Sequence, residues 1–581
     1  MMLQALIQYA ERKTLGDSDF ESVGIRWMLP LDINGSLVGG PIPMAENPDE
    51  KKPKPKHFFR PFTSPNDLNQ GTKSHFLADT LERTVLFLDP KTAEKAPARQ
   101  VQHAFFKSLL TEAISECPSA TAGLSAVLLF LNNPAALSYL HQQLIQVKAK
   151  PTENATFSID GVNLLEIEAL RDFWRKRRCR IADSGPRRAR RICIATGELA
   201  DTLDTTDKIK GVPGGLAVGT NLISFDKDSF CSFGLEQAQN AALSAPAELK
   251  IRSALNRLIE ISQSQRLVFD GRTIHLHWSR QELDFDPIDL LASADENEVA
   301  ALLNSVRQGE QICGIDTNAY YAMSLSANGA RVVVRDWLES TVPEVSRNVA
   351  DWFSDLAIAH PDGLSTKRDF KFGALLYGMV ASEIEELPPG IPTQLFYCAL
   401  RGRTVPIPDS ALAAALRRQQ LDQDNKLNPA RMALIKACLN RSLKKDSETM
   451  TEHLNPDSSN PAYLCGQLFA VFDRLQYLAL GGVNAGVVDR YYASASVTPA
   501  LVMGRLFRNA QFHLSKAGGG VAENVRKDFE TIASSLGYSF PSTLDLEAQG
   551  RFALGYYHQK ANYRKRTAER KESESQVEAQ A

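Results

Sequence analysis

The chain has 581 residues, and its 66 Lys and Arg against 68 Asp and Glu give a formal net charge of −2. This balance excludes a uniformly basic protein that coats nucleic acid, so any basic surface must be local. With 43% hydrophobic and 23% charged residues, the composition also excludes a wholly disordered or fibrous chain.

The beginning of the chain predicts a helix rather than a targeting segment. Residues 1–6 lead directly into the charged residues 11–13, without the apolar stretch and cleavage site of a signal peptide. The longest apolar run, at residues 124–131, is far short of the about 20 residues that a membrane span needs. The eight cysteines are scattered without a CxxC pair, which favours a reducing compartment. We therefore expect a cytoplasmic protein without a membrane segment.

Hydrophobic periodicity predicts α and β elements over the first two thirds of the chain. Residues 1–150 predict a helix, short strands, an exposed Lys- and Pro-rich loop at residues 50–57, and two helices over residues 99–146, broken near Cys117 and at residues 132–134. Residues 151–345 predict further strands, at 267–269, 273–278 and 331–335.

Beyond residue 346 the pattern becomes mostly helical, with helices predicted over residues 347–356, 411–420 and 430–443. A polar stretch at 444–461 resembles a linker, and residues 461–559 predict a four-helix bundle. The fold class is therefore α+β, with mixed α/β N-terminal and central regions followed by a C-terminal helical bundle. The expected domains are 1–150, 151–345, 346–449 and 450–581, with a disordered tail from about 564.

The densest charge feature lies at residues 171–191, where ten basic residues meet only Asp172 and Asp183. A net charge of +8 over 21 residues repels itself unless phosphate or an acidic partner compensates it. We expect nucleic-acid contact here, with a solvated basic helix as the alternative. Phe173 and Trp174 could stack on a base or belong to the core. The candidate backbone contacts are Arg175, Lys176, Arg177, Arg178, Arg187, Arg188, Arg190 and Arg191.

A second basic element precedes a polar stretch near the amino terminus. Lysine side chains can anchor phosphates, and Asn, Gln and Thr side chains can bind base edges. Gly71 permits close approach of the backbone. Together these residue types could recognise base edges in a DNA groove, although an ordinary mobile loop has the same composition. The phosphate candidates are Lys51, Lys52, Lys54, Lys56 and Arg60, and the base-edge candidates are Asn69, Gln70, Thr72 and Lys73.

The sequence lacks the motifs of hydrolases and metalloenzymes, including a GxSxG elbow, an HExxH pair and a close carboxylate cluster. The Gly-rich run at 208–225 lacks the GK[ST] ending of a P-loop, so its glycines better suit close approach to another chain or to a nucleic-acid strand. His275 and His277 are expected to pack on a strand, and Cys179 and Cys193 have no CxxC partners. We predict no catalytic residue, no metal and no cofactor.

Positive side chains are also scattered over the C-terminal helical segment, whose apolar residues recur at helical spacing. They either face phosphates or form a solvated surface, and the sequence leaves both interpretations open. The candidates are Arg505, Arg508 and Lys516.

Ordered motifs along nearly the whole chain resemble one known family. They include KSHFLAD at residues 73–79, TGE at 196–198, LSANGARVVVRDW at 325–337 and QGRFALGYYHQ at 549–559. In these strings the chain resembles the large subunit of the subtype I-C CRISPR Cascade, the Csd-one or Cas-eight-c family. Two departures from the family pattern occur: Arg190 and Cys193 stand where members often carry a CxxC, and His75 stands where members tend to show Asn.

The resemblance implies a non-catalytic subunit of an RNA-guided DNA surveillance complex. Base pairing with the guide reads the target, while this chain recognises the short flanking motif (PAM), helps open the duplex and stabilises the R-loop. The implied partners are the CRISPR guide RNA, target double-stranded DNA, Cas-seven-type backbone subunits, a Cas-five-type subunit, a separately translated small subunit and a helicase-nuclease. Internal translation from Met450 would yield residues 450–581 as the small subunit.

Within the implied function, our hypothesis gives roles to the candidate residues. The base-edge candidates of residues 1–150 would read the PAM, and Arg505, Arg508 and Lys516 would follow the displaced strand. Two alternatives stay open: a metal-dependent nuclease that cuts the strand itself, and a ribonucleoprotein scaffold that holds guide RNA without reading the PAM.

Overall fold

The computed structural model separates into two compact units, Met1–Ile209 with Asn221–Arg257, and Lys210–Thr220 with Leu258–Ala581. The domain boundaries expected at residues 150, 345 and 449 stay predictions. The structure describes residues 2–13, 15, 19–47, 53–63, 71–89, 94–184, 190–225, 227–231, 233–260, 266–308, 318–388, 390–422, 427–442, 448–537 and 539–580.

The first unit mixes helices and short strands, as predicted. Its elements are α1 (Met2–Arg12), β1 (Phe20–Ile25), β2 (Trp27–Leu31), β3 (Ile42–Pro43), β4 (Lys56–Pro61), β5 (Ala78–Thr80), α2 (Leu81–Thr84), α3 (Ala96–Glu116), α4 (Thr121–Leu131), α5 (Pro134–Gln146), β6 (Asn154–Ile159), β7 (Val162–Asn163), α6 (Glu168–Ser184), β8 (Arg190–Ile192), β9 (Leu199–Asp201) and α7 (Ala245–Glu260).

Five strands of this unit form one mixed sheet in the order β3-β2-β6-β5, with β7 paired to β6. Strands β2 and β6 are parallel, with Trp27 beside Ala155 and Leu31 beside Ile159. Parallel neighbours need a long crossover connection, and the chain between these strands contains α2 to α5. Strand β6 is buried from Ala155 to Ile159, as expected for a strand between two others.

Three helices cover residues 96–146, so the predicted number of two was wrong, although both predicted breaks are present. Helix α3 ends before Pro118, because proline has no N–H to continue the hydrogen-bond ladder. Helix α5 begins after Asn133, whose side chain accepts hydrogen bonds from the N–H groups of Ala135 and Ala136.

The second unit contains an antiparallel sheet followed by helices. Its elements are β10 (Arg266–Val268), β11 (Ile274–Ser279), α8 (Asp289–Ser293), α9 (Glu296–Gln308), β12 (Ala319–Asn328), β13 (Arg331–Thr341), α10 (Val342–Leu356), β14 (Ile358–Ala359), β15 (Thr366–Lys367), α11 (Phe372–Tyr377), α12 (Ile391–Arg401), α13 (Asp409–Leu421), α14 (Pro429–Asn440), α15 (Pro461–Leu480), α16 (Val487–Val497), α17 (Pro499–Lys516), α18 (Gly520–Ser535) and α19 (Leu546–Gln580).

The sheet of the second unit has the order β10-β11-β12-β13 and includes all three predicted strands of the central region. Part of the Gly-rich run packs against its last hairpin: Gly215 bridges Gly329, and the N–H of Ala327 donates to the carbonyl of Pro213 at 3.0 Å. A Cβ on Gly215 would lie 2.7 Å from Thr220. These glycines therefore serve a close approach within the same unit.

The described C-terminal helices from residue 461 onward number five, so the prediction of a four-helix bundle was wrong. The additional helix arises because Val487–Val497 and Pro499–Lys516 are separate helices that meet at Thr498. Helix α19 continues to Gln580, across the residues from about 564 where composition predicted disorder. An ion pair of 2.7 Å between Arg566 and Asp528 holds part of this extension against α18.

The polar stretch expected to be a linker is packed where the structure describes it. Met450 is buried, and its N–H and carbonyl are hydrogen-bonded by the side chain of Asn440. Arg551 donates to the carbonyl of Glu448 at 2.8 Å. At the level of fold class, the prediction of mixed α/β regions followed by a helical C-terminal region is confirmed.

Candidate nucleic-acid interface

The PAM candidates of the first unit lie next to a well-anchored segment. Asn69 and Gln70 are outside the described residues, whereas Thr72 is exposed and Lys73 half-buried. Directly after them the N–H of His75 donates to Asp79 at 2.9 Å, and the buried ring of Phe76 stacks on Trp174 with 5.4 Å between centroids. Thr72 and Lys73 are therefore attached to a segment that the fold holds in place.

His75, which belongs to this anchored segment, is a neutral group. Burial, together with the smaller effect of the nearby positive charge of Arg60, lowers the pKa of His75 to about 3. The imidazole is therefore uncharged at neutral pH and supplies no positive charge for a phosphate.

The phosphate candidates before this segment divide into two groups. Lys54 and Lys56 are exposed, and Lys56 lies at the start of β4, so the predicted loop ends there. Arg60 is buried, donates to Glu21 at 2.9 Å and is thus occupied within the unit. Lys51 and Lys52 are outside the described residues.

The basic cluster of α6 is largely neutralised by carboxylates of the same unit. Arg177 pairs with Glu112 at 2.8 Å, and Arg178 pairs with Asp19 at 2.9 Å. Arg175 pairs with Glu168 and Asp172 on its own helix, each at 2.8 Å. Lys176 is exposed, and no carboxylate among the described residues pairs with it.

The remaining arginines of the cluster are placed differently. Arg190 is exposed on β8 and donates to the carbonyl of Leu199, while Arg191 donates to Gln239. Arg187 and Arg188 lie outside the part of the chain that the structure describes. The cluster therefore does not form one continuous cationic surface within the described residues.

The aromatic and histidine candidates lie inside the units. Phe173 and Trp174 are buried in the core of the first unit, which agrees with the core interpretation. In the second unit, Nδ1 of His275 lies 2.7 Å from the hydroxyl of Ser324, and Nδ1 of His277 lies 2.9 Å from the hydroxyl of Tyr320. Both imidazoles are fully buried.

Cys193 lies buried beside the start of α7. Burial raises the pKa of its thiol, but hydrogen bonds from the N–H of Ser244 and from Thr196 outweigh burial and lower the pKa to about 7. The described residues contain no group of three His, Cys, Asp or Glu side chains that could hold a metal ion.

Helix α17 presents the clearest cationic face. Its sequence contains no Asp or Glu, and Arg505, Arg508 and Lys516 are exposed. Within the described residues, no carboxylate pairs with any of the three. Together with Leu501 and Phe512, these cations follow one another at spacings of three or four residues and so lie on one helical face. Leu501 and Phe512 are 79% and 63% exposed.

The two exposed apolar side chains were missed by the sequence reasoning, which grouped only the cations. A helical projection of residues 499–516 would have placed Leu501 and Phe512 on the same face as the cations. An aromatic ring among unpaired cations can stack on a base while the cations bind phosphates. The face therefore has the chemistry of a single-stranded nucleic-acid platform.

Across the described ranges, no single helix has both the length and the apolar composition to cross a membrane. The segments Ala96–Glu116 and Pro118–Leu131 meet that criterion only as a pair, and they are bent by 119°.

Comparison with known proteins identifies one family. The family described as CRISPR-associated protein (Cas_Csd1) matches residues 6–564. No curated protein matches the chain.

Proposed function

Since the chain belongs to the Csd1 family of CRISPR-associated proteins, we propose that it is the non-catalytic large subunit of a type I-C RNA-guided DNA surveillance complex. In this role it recognises the PAM in double-stranded DNA, helps to open the duplex, stabilises the R-loop and supports recruitment of the helicase-nuclease. The observation that carries the DNA-binding part is the face of α17, where three cations without a carboxylate partner among the described residues lie beside exposed Leu501 and Phe512.

PAM recognition is proposed for the segment that ends at Lys73. A side chain that discriminates nucleobases must be held in a fixed position. The hydrogen bond of His75 and the stacking of Phe76 anchor the adjoining segment in this way. Exposed Lys54 and Lys56 are available for phosphates in the same unit. Phosphate contacts orient the protein on the duplex, and base contacts supply specificity.

The test is substitution of Gln70 and Lys73 by Ala in the assembled complex. We expect capture of PAM-bearing duplex to weaken at least about tenfold, since each good base contact contributes roughly 1–3 kcal/mol, with little change on single-stranded target. Lys54→Gln is the matched control for loss of one phosphate contact, and it should weaken binding equally for every flanking sequence. Equal losses of the double variant on duplex and single strand would contradict PAM reading.

The nuclease alternative requires cleavage by this chain alone. Incubation of the isolated chain with labelled duplex and single-stranded DNA and Mg²⁺ or Mn²⁺ distinguishes the two functions. The scaffold alternative is tested by binding to duplexes with and without a scrambled flanking motif.

The remaining assignments concern partners. We propose that the guide RNA, Cas-seven-type and Cas-five-type subunits contact this chain in the complex, and that Met450 starts a separate small subunit. Such a product would expose part of its core, because Leu554 and Tyr557 of α19 pack in the same hydrophobic cluster as α10 to α14. It would therefore need a protein partner along that face. A cytoplasmic location stays a prediction.

A further inference from the structure

The chain turns sharply between the PAM candidates and the sheet of the first unit. Residues 74–77 directly follow Lys73 and are all buried. The N–H of Ala78 donates to the carbonyl of Phe76 at 2.9 Å and closes a three-residue turn around Leu77, which we call the Leu77 turn. Strand β5 begins at Ala78 and pairs with β6. The position of the PAM candidates relative to the sheet therefore depends on this turn.

The Leu77 turn is strained. Leu77 has a φ of 63°, a left-handed conformation in which the Cβ of any residue other than glycine crowds a neighbouring carbonyl oxygen. Such a residue persists only where the surrounding structure enforces it, and strain of this kind concentrates at binding sites. The side chain of Leu77 belongs to the core of the first unit. The hydroxyl of Thr156 on β6 donates to the carbonyl of Leu77 at 3.0 Å.

The carboxylate of Asp79 joins the two sides of the turn. Asp79 is 1% exposed. Its Oδ2 accepts the N–H of His75 at 2.9 Å, and its Oδ1 accepts the N–H of Thr80 at 2.7 Å. Arg83 pairs with the same carboxylate at 3.1 Å. These donors offset the cost of burying the charge, so the carboxylate is held in place and spans the turn from residue 75 to residue 80.

Phe76 anchors the turn from the side of α6. Its ring stacks on Trp174 at 5.4 Å between centroids and meets Phe173 edge-on at 5.5 Å. Apolar packing of this kind is non-directional, so it retains the ring in the core without fixing the direction of the preceding backbone. Hydrogen bonds are directional, and Asp79 accepts the one that His75 donates.

We propose that Asp79 is a positioning residue for PAM recognition. By accepting the N–H of His75 across the Leu77 turn, it fixes the direction in which the segment ending at Lys73 leaves the sheet. The inference rests on the proposed function, because it assumes that this segment reads the PAM. It adds a requirement that the function itself does not make: discrimination between flanking sequences depends on a buried carboxylate that contacts no DNA.

The test measures the discrimination ratio of the guide-loaded complex, which is its affinity for PAM-bearing duplex divided by its affinity for duplex with a scrambled flanking motif. Asp79→Ala should lower this ratio about tenfold, the effect of losing one good base contact. Thr156→Val keeps the shape of the side chain but removes the hydrogen bond to Leu77, and it should lower the ratio about threefold. Affinity for single-stranded target should not change in either variant.

Two further measurements separate positioning from a general effect on stability. Asn133→Ala is the matched control, because it removes the N-cap hydrogen bonds of α5 and so destabilises the same unit away from the Leu77 turn. Its discrimination ratio should stay at the wild-type value. The second measurement adds Asp79→Ala to the double variant Gln70→Ala with Lys73→Ala. Since Asp79 acts through the reading segment, its removal there should lower the ratio no further.

The outcomes separate the inference from the proposed function. A lowered ratio in the double variant, with unchanged ratios in Asp79→Ala and Thr156→Val, would overturn the positioning role and leave PAM reading. No change in any variant would overturn both. An equal fall in Asn133→Ala, or additive losses in the combined variant, would assign Asp79 to stability alone and overturn the positioning role. If Asp79→Ala fails to fold, Thr156→Val, alone and combined with the double variant, supplies the same comparisons.

Discussion

Two glycines set the distance between the longest helices of the second unit. A Cβ on Gly466 of α15 would lie 2.0 Å from the carbonyl of Phe552, and a Cβ on Gly555 of α19 would lie 2.1 Å from the carbonyl of Tyr463. Both carbonyls belong to the backbone, which cannot rotate away as a flexible side chain can. The two helices therefore cross in backbone contact.

Gly555→Ala should lower the free energy of unfolding by about 1–3 kcal/mol, because forcing a methyl group into a packed crossing costs that much. Gly504→Ala is the control: Gly504 is on α17, and apart from its own helix backbone and chain neighbours no atom of the described residues lies within 4 Å of the place that its methyl group would occupy, so alanine should stabilise the helix by up to about 1 kcal/mol. Chemical denaturation of both variants checks the signs. Stabilisation by Gly555→Ala would contradict the close crossing.

His558 makes the stability of the second unit depend on pH. Its Nδ1 lies 2.9 Å from the hydroxyl of Tyr463, and burial, together with the smaller effects of Lys436 and His453, lowers the pKa of His558 to about 3. The unfolded state binds the proton near pH 6.5. The stability that the neutral imidazole provides is therefore present above pH 6.5 and is lost as pH falls towards 3.

Lowering the pH to about 5 should thus cost the wild type about 2 kcal/mol more than it costs His558→Gln, at roughly 1.4 kcal/mol per pH unit. Denaturation midpoints of both proteins, measured above pH 6.5 and at about pH 5, give the difference. Parallel losses in the two proteins would show that His558 is not the responsible group.

At the scale of the element, α6 shows how a basic helix is compensated by distant carboxylates. Within residues 171–191 only two acidic residues are present, but Glu112 and Glu116 of α3 pair with Arg177 and Arg180 at 2.8 Å each. The sequence could predict the charge density of the helix. It could not predict these partners, which are more than 60 positions away in the chain.

Arg177→Gln should therefore destabilise the first unit, by up to about 1 kcal/mol for a partly exposed pair, and should leave the salt dependence of DNA binding unchanged. Lys176→Gln, at an exposed position without a described ion pair, should leave stability unchanged. Thermal melting and a salt titration of binding check both variants. A lower salt slope for Arg177→Gln would instead assign this helix to the phosphate backbone.

At the scale of the whole molecule, local patterns predicted most of the elements. The strands near 267–269, 273–278 and 331–335 and the helices beyond residue 346 depend on periodicity that a sequence carries directly. The helix breaks at Pro118 and Asn133 depend on local capping chemistry. Fold class followed from the order of these elements.

What could not be predicted depends on distant neighbours. Arg60 was a phosphate candidate until the fold placed it beside Glu21, and one cleft of the second unit is lined by residues near 360, 474 and 560–571. The α17 cations lie on one helix, so the sequence could select them. Their lack of carboxylate partners among the described residues became visible only in the folded chain.

The central claim is that this chain, and not the guide alone, secures the flank of the target duplex. The most direct measurement compares binding of the guide-loaded assembly to matched, PAM-bearing duplex with and without this subunit. The account predicts that omission abolishes stable binding to duplex while pairing with a single-stranded target persists. Undiminished binding of the duplex without the subunit would contradict it.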